Sequence, residues 1–162
     1  MASQENVTFE DIVEELLIAL GIPASLNGYG YLKEAIVIYH RLGGEGRRVR
    51  ITKDIYPAVA LKYKTSSACA ERSMRHAVCM AFTRGSLSFI DSVFSLTVDE
   101  SKGKPTNSEF VAMLNHRAKW VLKRLEEIRN KDTGEDYAGD YAVDMGCGDD
   151  KTSVNVDEEN CE

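Results

Sequence analysis

No stretch of this sequence is apolar for the roughly 20 residues that a bilayer span requires. The first apolar-periodic segment is interrupted by Glu10, Asp11, Glu14 and Glu15, so a secretory signal is not read either. The expected location is the cytoplasm, at the nucleoid, with no membrane partner. Cysteine is scarce and poorly spaced for chemistry. Cys69, Cys79, Cys147 and Cys161 form no CxxC pair, and no nearby histidine completes a zinc pattern. Free reduced thiols are expected, with no metal and no cofactor. The histidines His40, His76 and His116 stand apart, and no Ser/His/Asp or Cys/His set assembles from local pattern. Gly28-Tyr29-Gly30 and Gly43-Gly44-Glu45-Gly46 follow no strand and lack the Lys-Ser/Thr of a phosphate loop. They read as turns and helix ends. Asp136, Asp140 and Asp144 recur every fourth residue, without the alternate ligands and closing Glu of a calcium loop. An enzyme is not expected.

Positive charge is also in deficit, since 20 Lys and Arg face 26 Asp and Glu for a net charge of −6. Its distribution reverses the meaning. Residues 132–162 hold 11 acidic side chains and 1 basic one, whereas residues 47–84 hold 9 basic side chains against only Asp54 and Glu71. A basic patch and an acidic tail are averaged in the total. The tail carries few large apolar groups and cannot offset the entropy of ordering, so it is expected to be disordered.

What remains is helical periodicity, with no convincing strand. Phe9, Ile12, Val13, Leu16, Leu17 and Leu20 line one face of a first helix, capped by Thr8 and stopped by Gly21 and Pro23. A second helix is expected over about Gly30–Leu42, and a flexible basic loop, Gly46-Arg47-Arg48-Val49-Arg50, follows it. A third spans about Thr52–Tyr63, where Pro57 must lie early or produce a kink. A fourth covers 67–83 after the cap residues Thr65-Ser66-Ser67, and a short fifth holds Leu87, Phe89, Ile90, Val93 and Phe94. The last opens on the capping box Thr106-Asn107-Ser108-Glu109 and carries Phe110, Val111, Leu114, Ala118, Val121, Leu122, Leu125 and Ile128 on one face for nearly six turns.

Helices three and four have the separation of a helix-turn-helix. On the fourth, Ala70, Met74, Ala77, Val78 and Ala81 should face the core, leaving Ala68, Arg72, Arg75 and Cys79 on the opposite stripe. Small residues followed by arginines suit a helix entering a major groove, where a guanidinium reaches guanine O6 and N7. By spacing alone the plainer reading, a surface helix with two solvated arginines, is the stronger.

Residues 13–119 resemble the C-terminal DNA-binding effector domain of the stage-zero sporulation master regulator, the sporulation initiation response regulator of endospore-forming Firmicutes. The resemblance is carried collinearly by LGIPASLNGYGYLKEAI (20–36), ITKDIYPAVALKY (51–63), AERSMRHAV (70–78), TRGSLSFIDSVFSLTV (83–98) and KPTNSEFVAML (104–114). It implies a six-helix domain whose helix-turn-helix reads short promoter boxes, with Glu71, Arg72 and Arg75 at base edges and His76 at a base or the backbone. It also implies a surface at about 86–95 that contacts RNA polymerase sigma factor, and a second copy packed on tandem boxes. The chain departs from the pattern by lacking the receiver domain, by Cys69 and Cys79 on the recognition helix, and by the GGEGRRVR loop and acidic tail.

The fold class expected is therefore all-α, about six helices with a helix-turn-helix at about 52–83, followed by a disordered acidic tail. A polar leader occupies 1–6, the effector domain 7–131 and the tail 132–162. The function expected is sequence-specific transcription regulation on double-stranded DNA, read by helix 67–83. Ser66, Ser67, His76, Arg47, Arg48, Arg50, Lys53, Lys102 and Lys104 are expected to serve the DNA backbone. The alternative is a protein-interaction module or decoy that keeps the fold and engages sigma factor or another regulator.

Overall fold

The computed structural model describes residues 6–95 and 103–132. The acidic tail beyond residue 132, Lys102 and all of the leader before Asn6 lie outside the described residues. Among the described residues six α-helices follow one another: α1 (Phe9–Ala19), α2 (Asn27–Gly44), α3 (Tyr56–Lys62), α4 (Ser67–Arg84), α5 (Leu87–Phe94) and α6 (Asn107–Asp132). A π-helical turn, Ile51–Ile55, leads into α3, and there is no strand among the described residues.

Both ends of α1 form as local chemistry dictates. The Thr8 hydroxyl accepts the Asp11 amide at 3.2 Å, while the Asp11 carboxylate accepts the Thr8 amide at 2.8 Å. At the other end Gly21 takes φ +79°, and the Gly21 and Ile22 amides donate to Ile18 and Leu17 carbonyls at 2.8 and 3.2 Å. That double closure needs a left-handed residue, which glycine supplies without steric cost.

The start of α2 is earlier than expected. Gly28-Tyr29-Gly30 form its first turn and not a preceding loop. Poor helix formers are recruited here because α2 lies against the backbone of α4. A methyl group at Gly28 would fall inside the van der Waals shell of the Ser73 carbonyl oxygen and 2.8 Å from the Ala77 Cβ. The Gly30 carbonyl accepts the Tyr63 hydroxyl at 3.1 Å, which ties the end of α3 to the same turn.

The segment expected as one helix over 52–63 is divided. The Tyr56 amide donates to Ile51 across the wider π spacing, and α3 then begins at Tyr56 with Pro57 in its first turn. Proline has no amide and its ring clashes with the carbonyl four residues back. A continuous α-helix would place that clash at Lys53, and the π turn avoids it. The loop at 46–50, expected to be flexible, is anchored, because Arg47 and the Arg50 amide both bind Asp54, at 2.6 and 2.8 Å.

The core is continuous across all six helices. Leu17, Leu20, Leu32, Ile36, Ile55, Met74, Phe94, Phe110 and Leu114 are fully buried. Phe94 packs against Phe82 and Phe110, each with ring centroids 5.4 Å apart. The apolar face of α6 is only partly used. Phe110, Val111, Leu114 and Ala118 are buried, Val121 and Leu122 half-buried, and Leu125 and Ile128 exposed. At about 1.5 Å per residue, this 26-residue helix outruns the 11-residue α1 that packs against it.

The closeness of α2 and α4 makes a direct prediction. Gly28→Ala should lower stability by about 1–3 kcal/mol through overpacking, despite alanine's better helix propensity. A thermal melt that is unchanged or raised would show that the two helices can separate at no cost.

Candidate nucleic-acid interface

The helix-turn-helix is built from three local devices. At the end of α3 the Thr65 amide donates to Ala60 at 2.9 Å and the Lys64 amide to Leu61 at 3.4 Å. Lys64 stands in the left-handed region, φ +53°, where a side chain costs roughly 1–2 kcal/mol. Ser66 then caps α4, its hydroxyl accepting the Cys69 amide at 3.1 Å. Ser66 is thus committed to the helix end, and Ser67 is the first residue of α4.

The two faces of α4 divide as its sequence predicts. Ala70, Met74, Ala77, Val78 and Ala81 are buried, while Ala68, Cys69, Arg72, Arg75 and His76 are exposed. Arg72 makes no ion pair among the described residues, so its guanidinium is free. Arg75 is held by Glu71, one turn earlier on the same helix. Because the pair is solvent-exposed it is weak, with a typical worth of 0–1 kcal/mol. It orients Arg75 without locking it.

Next to this face runs a groove of about 340 Å³ between α4 and the start of α6. Arg75 and Cys79 line one wall, and Lys104, Thr106, Asn107 and Ser108 the other. Lys104 donates to the Cys79 sulfur at 2.9 Å. The capping box at Thr106 is present, with the Glu109 carboxylate accepting the Thr106 amide at 2.7 Å and the Thr106 hydroxyl accepting the Glu109 amide at 3.3 Å. The first turn of α6 therefore opens beside Arg75, its positive dipole end included.

The remaining basic residues are not equivalent. Arg48 and Lys53 are exposed and without ion pairs among the described residues, whereas Arg47 and Arg50 face Asp54 at 2.6 and 3.6 Å. The Arg50 amide, helped by the Arg47 and Arg50 guanidiniums, holds the Asp54 carboxyl below its usual value.

Two residues here were not foreseen. Asn107 is 6% exposed, the one buried polar residue among the described residues. It donates to the Tyr56 hydroxyl at 3.0 Å and to the Glu71 carbonyl at 3.1 Å. Burial raises the Tyr56 hydroxyl above its ordinary value, so it stays protonated at neutral pH. These partners are 51 and 36 residues away in sequence, a distance over which periodicity carries no signal.

The Asp54 geometry predicts an acid response. A carboxyl lowered by folding stabilises the fold above its unfolded value, near 3.8, and loses that contribution as the pH falls through the folded value. Stability of the parent should thus decline below about pH 4. Asp54→Asn should make that decline shallower, leaving the part carried by Asp11, which hydrogen bonds from Thr8 also lower. Acid melts of the two proteins with identical slopes would remove Asp54 from the account.

Residues 13–118 match the family model described as sporulation initiation factor Spo0A, C terminal. The match covers all of the core helices from within α1, the helix-turn-helix, α5 and the buried turns of α6. This family comprises DNA-binding domains of transcription regulation and is not an enzyme family. With well over half of its length matched, the chain belongs to the family of sporulation initiation factor Spo0A C-terminal domains.

Proposed function

We propose that this protein is a sequence-specific transcription regulator that reads promoter boxes in double-stranded DNA by laying α4 in the major groove. The observation that carries the reading is the division of α4. Its buried stripe seats the helix in the core, and Arg72 and Arg75 stand exposed about one turn apart on the outer side. Small residues at its N-terminal end, Ala68 and Cys69, allow close approach to base pairs.

In this reading Glu71, Arg72 and Arg75 meet base edges. Arginine suits guanine O6 and N7, and a carboxylate suits the cytosine amino group. The backbone contacts fall to Arg48 and Lys53, which have no ion pair among the described residues, with Arg47 and Arg50 held ready by Asp54. Lys104 and the first turn of α6 offer a phosphate site beside Arg75, while Ser67 and His76 flank the reading helix. Lys102, in the same proposed role, lies outside the described residues. The exposed side of α5, where Leu87 is 79% exposed and Ser88, Asp91 and Ser92 are also outward, is the surface we assign to RNA polymerase sigma factor.

Selection of bound sequences from a random duplex pool tests this directly, and binding of variants to the selected box tests the residues. Arg72→Ala should cost about 1–3 kcal/mol on the box and less on random duplex. Arg75→Ala should cost about as much, because the exposed ion pair with Glu71 that Arg75 gives up on binding is weak. Lysine at either position should restore charge but not full specificity, since it lacks the planar fork. Arg48→Ala should weaken all duplexes alike. Log affinity of the parent should fall with log salt as about −0.9 per phosphate neutralised, for about four to six phosphates. A flat salt response, or arginine variants that bind the box like the parent, would overturn the assignment.

A further inference from the structure

Asn107 occupies an unusual position for a polar side chain. It is the first residue of α6, it is buried, and its two amide protons are used on two other elements, α3 through Tyr56 and α4 through the Glu71 carbonyl. The carbonyl can only accept, so it fixes the orientation of the Asn107 amide, and Tyr56 then serves as the second acceptor. Both hydrogen bonds reach groups on other elements, so this one buried side chain ties the start of α6 to α3 and α4 at a single point.

Its target is informative. In an α-helix the Glu71 carbonyl is the acceptor of the Arg75 amide. Asn107 therefore grips the very turn of α4 that carries Glu71, Arg72 and Arg75. A second attachment, Lys104 to the Cys79 sulfur, lies eight residues further along the same helix. The buried stripe of α4 is made largely of alanines, Ala70, Ala77 and Ala81, whose smooth surface does little to oppose rotation of the helix about its axis. A directional bond to its backbone does oppose it. Reading of base edges tolerates only about 0.5 Å and 10–20° of misplacement.

We infer that Asn107, seated on Tyr56, is a positioning residue that fixes the rotation of the recognition helix and so sets how strictly Arg72 and Arg75 discriminate between sequences. This rests on the proposed reading of DNA by α4. It assigns specificity to two side chains that touch no DNA.

The test compares affinity for the selected box with affinity for random duplex of equal length, at one salt concentration, for the full chain and for Asn107→Ala, Tyr56→Phe and the double variant. Thermal melts accompany each. Each single variant should lower the box-to-random ratio about three- to tenfold, the range one net hydrogen bond commands. The double variant should fall no further than the deeper single, because both act through one contact. Random-duplex affinity should stay within about twofold of the parent, since the charges are intact. Tyr56→Phe keeps the buried ring and decides the matter if Asn107→Ala does not fold. Folded variants with the parent's ratio, or with a lower melting temperature and an unchanged ratio, would overturn the inference while leaving the reading of DNA by α4 standing. A parent that shows no preference for any box would overturn both.

Discussion

The seating of α4 on the backbone of α2 is the constraint from which the interface follows. Where Gly28 meets Ser73 and Ala77 there is no room for a single added methyl group. This approach requires the small stripe on α4, so Ala70, Ala77 and Ala81 face inward with Met74 and Val78 filling the remaining space. Burying that stripe fixes which residues point out. Arg72 and Arg75 are therefore exposed as a consequence of core packing and not of a separate device. The same turn of α2 takes the Tyr63 hydroxyl, so the end of α3 and the middle of α4 are held by one short stretch of helix. The angle between the two helices of the motif is set there, together with the left-handed Lys64 between them.

Close packing fixes which face of α4 is outward but sets its rotation only coarsely. Apolar contacts are non-directional, and alanines offer few knobs to interlock. The polar contacts that α6 and the residues just before it make to α4 are few among the described residues, and one of them falls at the turn of α4 that carries its arginines. Asn107 binds at Glu71, and Lys104 binds at Cys79. The long helix thus acts at its two ends differently. Its N-terminal turns lie beside the arginine-bearing face of α4, while its C-terminal turns run along α1 and leave Leu125 and Ile128 exposed.

What the sequence disclosed tracks the range of each interaction. The cap at Thr8 and the capping box at Thr106 each span three residues, and both are present. The faces of α4 repeat within one helix, and burial agrees with them except at Cys79, expected on the outward stripe but half-buried against Lys104. The start of α2 was expected at about Gly30 and lies at Asn27, and the contact that makes room for Gly28 inside the helix comes from Ser73, far along the chain. Pro57 announced a disturbance near the start of a helix, but not that a π turn would absorb it. Leu125 and Ile128 continue a perfect apolar period, yet periodicity cannot report whether a neighbouring element packs closely enough to cover them. Asp54 counted as one opposing charge in a basic segment, and its role in anchoring the 46–50 loop emerges only in three dimensions. The match to a known family over residues 13–118 supplied what periodicity could not, a reason to prefer a DNA-reading face over a solvated one.

The acidic residues inside the basic surface bear on how it would meet DNA. Asp54 and Glu71 each hold an arginine that would otherwise sample many rotamers, Arg47 in one case and Arg75 in the other. Holding a long side chain in place lowers the entropy lost when it binds, but it also requires the existing partner to be given up. Exposure decides the balance. At the surface such a pair is worth about 0–1 kcal/mol, less than the 1–3 kcal/mol of a bidentate guanine contact. Arg75 can therefore leave Glu71 for a base at little cost, and Glu71 is then free to accept from a neighbouring base. Asp54 is the more sheltered carboxylate, with 10% of its side chain exposed, and it is also bound by the Arg50 amide. It would retain its contacts when phosphate arrives, so Arg47 and Arg50 would approach the backbone from fixed positions with part of their charge already offset. Arg48 and Lys53, exposed and without ion pairs among the described residues, have no such offset there, and they are the side chains on which the general attraction to DNA would chiefly rest.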